Sequence, residues 1–518
     1  GLDDNISEDT IVRMYSEQGM EDHLFRGQFL KIEVNKNSYF GQIIDEPKNF
    51  ALSGKSDSAI NEYPILHQEK VKYVPSYKVV SKIKLLGEIT EDNRLKSHFS
   101  RPKPASPVYF ALPDMVRSIL RLDGDQILGL LMGYESQNNP ITITVSDSMG
   151  RKQLGIFGMT GSGKSNTCLR IAEIFSKMGW CVIFLDYLGE YSRCQYPSEE
   201  KKLFTSIWEN IGIQPEGNKN VKVYLPTSDP RKSLSARKFT LMTKYMNAAI
   251  LNQMFCKTEA QRRLFGRFLR NFEEEGKTFH LHTISEELED KTDERTRERY
   301  TWGIIKARID NELEKKNRLF DYHPVDSKQD NTLRSKISDL DPLELLENGR
   351  INVLDFKNVS ESDYAATTFL LLKRLYTLKK EHGGSINQYP KVMIMIEEAH
   401  IPFAESDTNI YSGPLNNIAR KVFKIGRHYY LNICAISQRP ADIPDSILSQ
   451  INTRFIHRLK TSKDIYKVIT GDIKEYSTAV SSLGVGEALV DSADFITPLT
   501  TMISPACSKK IDPFVNDM

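Results

Sequence analysis

Apolar and polar positions recur in short, nearly alternating runs over the first third of the chain and at helical spacings after it. From Gly27 to about Val145 the runs Gln28–Val34, Ser38–Ile44, Tyr77–Ile83, Val108–Ala111 and Ile141–Val145 are separated by turn residues, a spacing that predicts a small β-barrel or sandwich. The proline-rich break from Arg101 to Pro107 cannot be a central strand, because proline has no N–H for the ladder, and it reads as a crossing connection.

Around Leu154 the pattern becomes strand, glycine turn, helix, strand, the alternation that builds a parallel sheet. Leu154–Phe157 is apolar; Cys168, Leu169, Ala172, Phe175 and Met178 then recur at helical spacing, Gly179 ends the helix, and Trp180–Leu185 is the next strand. Later apolar runs at Ile351–Phe356, Val392–Ile396, Leu431–Ser437 and Thr453–Leu459 read as buried strands. Between the strands starting at Trp180 and at Ile351 lies a polar stretch with helical periodicity at Ala260–Glu275 and Ile304–Leu319, a helical insertion whose charge run from Glu286 to Arg299 reads as a solvated face or loop. The expected division is an N-terminal segment 1–26, a β domain 27–147, an α/β core over 148–194 and 346–505, the insertion 195–345, and a tail 506–518.

A length of 518 residues is too great for one core and predicts roughly three domains. With 70 basic and 68 acidic residues the net charge is +2, so overall charge neither favours nor excludes a polyanionic partner, and any nucleic-acid surface must be local. The apolar runs fall short of a membrane span, and the first residues lack a secretion signal, which makes the cytoplasm the expected compartment. Six scattered cysteines without a Cys-x-x-Cys pair predict buried thiols rather than a zinc site or a disulfide framework.

The chemistry-bearing segment is Gly158-Met159-Thr160-Gly161-Ser162-Gly163-Lys164-Ser165, followed by Asn166. Its glycines let successive backbone N–H groups converge on the phosphates of a nucleotide, with Lys164 as a point charge and Ser165 as a magnesium ligand. A strand ending in carboxylates should lie beside it, and Val392–Ile396 followed by Glu397-Glu398 fits: Glu397 is assigned to magnesium and its water shell, Glu398 to polarising the attacking water. Asp186 and Gln438 end further apolar strands, and sites in open parallel sheets lie at strand carboxyl ends, so Asp186 either faces the nucleotide or simply forms the turn, and Gln438 either senses the γ-phosphate or orients water or is a polar turn residue. Arg420, Arg427 and Arg439 are candidate cations for transition-state charge.

Together with Asp186-Tyr187-Leu188-Gly189-Glu190-Tyr191, Ile396-Glu397-Glu398-Ala399-His400, Ile425-Gly426-Arg427, Ser437-Gln438-Arg439-Pro440, Ile451–Phe455 and Leu483–Ala488, the chain resembles the HerA family within the HerA/FtsK group of RecA-like ATPases. The resemblance implies an α/β, RecA-like P-loop core with an N-terminal small β-barrel and a helical insertion. It implies ATP hydrolysis with Mg2+, carried by Lys164, Asp186, Glu398 and Gln438. Arg427, or failing that Arg420, would reach a neighbour's site. Two departures stand out: Glu397 occupies a position that is Asp in many P-loop proteins, and Lys152, beside Arg151, stands where relatives often carry Arg.

The implied function is a homo-hexameric DNA translocase or helicase that grips DNA without reading sequence and works with a partner nuclease or NAD-hydrolysing effector, in DNA end processing or anti-phage defence. The alternatives are an ATP-binding platform that regulates such an effector with little translocation, and a secretion- or conjugation-type ATPase. No base-reading motif is evident.

Overall fold

The computed structural model describes residues 2–3, 11–16, 23–35, 37–45, 47–51, 77–96, 101–122, 124–134, 140–199, 202–231, 236–293, 297–322, 337–383, 388–404, 410–470, 474 and 476–511. Most of the segment 1–26, residues 294–296 of the charge run and residues 512–518 of the tail lie outside these.

Among the described residues thirteen strands form one sheet. Nine are parallel, in the order Thr453–Ile456, Leu154–Phe157, Leu431–Ser437, Val392–Ile396, Cys181–Asp186, Ile351–Asp355, Val221–Pro226, Arg237–Thr240 and Ile337–Asp339. Four more continue it antiparallel beyond Thr453–Ile456: Glu487–Ser492, Leu499–Ile503, Gln126–Leu131 and Thr142–Val145.

The central strands are buried on both faces, so they are largely apolar and divide by parity. Ile183, Leu185, Ile394, Ile396, Ile433 and Ala435 face one core. It is shared with the insertion helices Glu259–Glu274, Leu281–Asp293 and Arg299–Glu314 and with helices Glu361–Glu381 and Ser412–Ile425. Val182, Phe184, Met393, Met395, Cys434 and Ile436 face the other, against helix Lys164–Lys177 and part of the N-terminal sheet. The described cysteines are all free and buried in these interiors.

The N-terminal sheet is an antiparallel half-barrel organised around the long strand Tyr77–Ile89, which pairs with Ile11–Ser16, Asn37–Ile43, Lys48–Ala51 and Leu95–Lys96. Its interior is a small cluster including Leu30, Ile32, Tyr39, Ile43, Val79 and Ile83. Buried Gln42 ties it to the large sheet's domain through Tyr476 (2.8 Å) and Thr497 (3.1 Å).

Two expected boundaries differ. Gln126–Leu131 and Thr142–Val145, expected in the β domain, belong to the large sheet, while Ile11–Ser16, expected before it, pairs inside the half-barrel. The insertion 195–345 is not wholly helical: Val221–Pro226, Arg237–Thr240 and Ile337–Asp339 extend the parallel sheet. Alternation locates strands, but pairing partners are set by contacts far apart in sequence. No helix among the described residues is long and apolar enough to cross a membrane.

Candidate active site

The phosphate loop leaves the fully buried strand Leu154–Phe157 at its carboxyl end and opens helix Lys164–Lys177, so the helix amino terminus and its unpaired N–H groups lie behind the loop. Gly163 is the helix N-cap at φ +114°, and a Cβ there would lie 3.1 Å from Gly486 backbone, so the turn is closed to other residues. Lys164 Nζ donates to Met159 O at 3.1 Å and Ser162 Oγ to the same carbonyl at 2.7 Å. Burial lowers the Lys164 pKa, while Glu398, Glu397 and Glu190 oppose that shift.

Behind the loop stands His457, which sequence reasoning missed. Its Nδ1 lies 2.8 Å from Glu487 O and its Nε2 2.9 Å from Thr167 Oγ1. A carbonyl can only accept, so Nδ1 carries the proton and Nε2 accepts from the Thr167 hydroxyl. Burial pushes the His457 pKa down to about 4, consistent with a neutral brace. The signal was its position directly after a strand that pairs with the P-loop strand.

Glu397 and Glu398 follow strand Val392–Ile396, two strands from the P-loop strand. Glu398 sits at φ +42°, a left-handed conformation costing a side chain on the order of 1–2 kcal/mol. Strain of this kind clusters at functional sites. Its pKa is raised by burial and held back by Lys164, the Gln438 backbone N–H and Arg439. His400 Nδ1 lies 3.3 Å from Glu398 Oε2, but burial lowers the histidine pKa, so at neutral pH this is not an ion pair. Gln438 reaches the phosphate loop directly: Thr160 Oγ1 donates to its Oε1 at 2.6 Å.

The other two carboxylates face inward. Asp186 is fully buried and accepts from the N–H groups of Gly189 (2.8 Å), Glu190 (3.0 Å) and Tyr191 (3.0 Å), capping its own loop. Glu397 accepts from Tyr191 Oη (2.7 Å) and Leu188 N (3.3 Å) and also hydrogen-bonds Asp186. Burial raises the pKa of both, Glu397 to about 7, so this pair favours holding a proton. Of the two roles expected of Asp186, the hydrogen bonds favour the turn-forming one, since its oxygens are engaged by the turn that follows it. Asn166 is likewise committed, to Ser504 O (3.0 Å) and Ala506 N (2.8 Å) of the C-terminal strap, which leaves its backbone N–H rather than its side chain for a phosphate.

Arg427 and Arg420 lie away from this cluster. Arg427 is in the turn Gly426–Tyr429 that enters strand Leu431–Ser437, at the amino edge of the sheet, whereas the loop stands at the carboxyl edge beside Ser437. Seven residues of strand separate the edges by about 20 Å. Exposed Arg427 shares a cavity of about 360 Å³ with Arg151, Lys152, Lys424 and His428. Arg151 and Lys152 are each held by a carboxylate, Asp147 (2.9 Å) and Asp494 (2.6 Å). Arg420 is exposed on helix Ser412–Ile425, about two turns before Arg427.

Two buried carboxylate oxygens, Glu398 Oε2 and Glu190 Oε2, have no hydrogen-bond donor. With Lys164, the helix amino terminus and the Ser165 hydroxyl, the pocket offers donors for phosphate and spare acceptors for a cation, so these residues fit a magnesium–nucleotide group. Among the described residues no group of three or more His, Cys, Asp or Glu is arranged to hold a metal ion alone. An ion here would complete its shell with phosphate oxygens and water.

Residues 128–375 match the family described as the central domain of the HerA helicase. The chain is similar to proteins named DNA double-strand break repair helicase HerA. That of Saccharolobus solfataricus is 23% identical over 477 residues, 90% of this chain and 84% of the relative. That of Sulfurisphaera tokodaii is 25% identical over 446 residues, 84% of this chain and 80% of the relative. Among solved structures, VirB4 of Thermoanaerobacter pseudethanolicus aligns with a TM-score of 0.46 at 12% identity, covering 74% of this chain and 96% of that one. Residues 128–375 are thus similar to the HerA central domain, and they contain the phosphate loop Gly158–Ser165.

Proposed function

We propose that this chain is an ATP-hydrolysing motor of HerA type that moves along DNA as a homo-hexameric ring. The observation that carries the proposal is the convergence of Lys164, Glu398 and Gln438 at one sheet edge, with Arg427 at the other. Lys164 and the helix amino terminus bind the phosphates. Magnesium, when bound through the Ser165 hydroxyl and phosphate oxygens, would neutralise developing charge. Glu398 accepts the proton of the attacking water, and Gln438 orients that water against the γ-phosphate. Glu397 contributes by fixing the loop 187–191 through Tyr191 and Leu188.

Arg427 serves a neighbouring subunit's site, because its own phosphate loop is a full strand length away. A site completed across an interface stabilises the transition state in one subunit arrangement only, which converts hydrolysis into movement. Arg420 is the alternative cation. The relatives are named as DNA repair helicases. We extend to this chain action on DNA through its phosphate backbone, with a nuclease or NAD-hydrolysing effector as partner and the cytoplasm as location. A role in defence and a platform that regulates the effector are variants of the same assembly.

Particle mass and ATP turnover, measured together with and without duplex DNA in Mg2+, test the proposal. A hexamer-sized particle whose turnover rises with DNA supports it; a hexamer insensitive to DNA contradicts the motor and favours the platform.

A further inference from the structure

The loop after strand Cys181–Asp186 contains two carboxylates, and the structure gives them different tasks. Asp186 is spent on three backbone N–H groups of its own loop. That cap requires a tight turn at Gly189, φ +75°, where a Cβ would lie 2.9 Å from Lys357 Cβ. The turn delivers Glu190, which is 4% exposed and whose Oε2 has no hydrogen-bond donor. A buried carboxylate oxygen without a donor costs several kcal/mol unless a cation stands near it.

The surroundings of Glu190 place its charge close to the candidate phosphate site. Its charge acts on Lys164, Glu397 and Glu398, the phosphate-binding lysine and both carboxylates of the neighbouring strand end. Lys510 Nζ lies 3.6 Å from Glu190 Oε2 and also acts on Lys164. Lys510 is carried by the strap that continues from strand Leu499–Ile503 and is bolted to the P-loop helix. There Glu173, 2% exposed, accepts from Cys507 N (3.1 Å) and Ser508 N (2.8 Å), and Asn166 holds Ala506. Ile511 N then donates to Glu190 O at 2.8 Å.

We infer that Glu190, rather than Asp186, is the carboxylate of this loop that faces the magnesium–nucleotide group, acting on the ion's water shell, with Lys510 of the C-terminal strap as its counter-charge. The inference rests on the ATPase reading above. Asp186 becomes a positioning residue that shapes the turn. Sequence position alone favours Asp186, since it ends the strand; the saturation of its oxygens transfers the role four residues on.

The test is the Mg2+ dependence of binding of a fluorescent, non-hydrolysable ATP analogue to the full chain, titrated for wild type, Glu190→Gln, Asp186→Asn and Lys510→Ala, with thermal midpoints alongside. Glu190→Gln is expected to raise the Mg2+ concentration for half-maximal binding about tenfold. Affinity in EDTA should stay unchanged or tighten, because a negative charge near the phosphates is gone. Lys510→Ala should shift the Mg2+ requirement in the opposite direction, and Asp186→Asn should mainly lower the thermal midpoint. An unchanged Mg2+ dependence in a folded Glu190→Gln protein overturns the inference and leaves the ATPase reading standing. Equal loss of binding with and without Mg2+ also overturns it, by making Glu190 merely structural. Wild type that binds no nucleotide overturns both.

Discussion

Thr160 of the phosphate loop and Gln438 at the end of strand Leu431–Ser437 share a 2.6 Å hydrogen bond, Thr160 Oγ1 donating to Gln438 Oε1. The backbone N–H of the same glutamine donates to Glu398. One residue therefore touches both the phosphate loop and Glu398, the proposed base, and its strand begins just after Arg427. A γ-phosphate entering the loop must share or replace the Thr160 contact, and a packed strand transmits displacement along its length rather than absorbing it.

Replacing Gln438 by Ala should separate binding from chemistry. ATP turnover is expected to fall on the order of a hundredfold, as when one preorganised polar contact to a transition state is removed, with the KM for ATP changed only a few-fold. Steady-state kinetics check this. A KM rise that accounts for the whole loss would make Gln438 a binding residue only.

Glu398→Gln should abolish the proton acceptor while keeping shape. Turnover should drop by about 10²–10⁴, and the analogue should bind as before. In the wild type the base must be ionised, and burial raises the Glu398 pKa. Activity should therefore decline on acidification at a higher pH than an ordinary glutamate would give. A pH–rate profile without that acidic limb, or a Gln variant with full turnover, contradicts the assignment.

His457 predicts a pH-dependent stability with a definite sign. Its folded pKa, about 4, lies below the ordinary histidine value of about 6.5 that holds in the unfolded chain. On acidification below 6.5 the unfolded chain takes up a proton that the folded one does not, so this stabilisation is present above about pH 6.5 and is lost as pH falls toward 4. Glu397, with its pKa raised to about 7, works in the opposite sense over an overlapping range, so the absolute stability curve mixes the two. The difference between wild type and His457→Gln removes the shared term. Chemical denaturation should show that difference moving against wild type by about 2 kcal/mol between pH 7 and pH 5. A constant difference would mean that His457 titrates normally in the fold.

Much of the core was legible because its signals are local. Val392–Ile396 and Leu431–Ser437 form strands with the expected bounds, since both are apolar runs closed by polar residues. The P-loop turn follows from its glycines. What escaped depends on contacts between distant segments. Nothing in Gln126–Leu131 says that its partner is Leu499–Ile503, more than 350 residues away. The short strand Val221–Pro226, only half of it fully buried, was submerged in a polar stretch. Carboxylate direction stayed open in the sequence. Asp186 three residues before a glycine is also the pattern of a side chain capping its own turn, and only the fold decides between capping and facing a ligand.

The central claim, that a complete ATP site takes Lys164 and Glu398 from one chain and Arg427 from the next, is tested most directly by mixing two inactive variants. Arg427→Ala and Lys164→Ala subunits, co-assembled and verified by mass, should form intact sites at about a quarter of interfaces in an equal mixture. The account predicts that turnover returns in the mixture to a matching fraction of the wild-type rate. No recovery in verified mixed assemblies would contradict it.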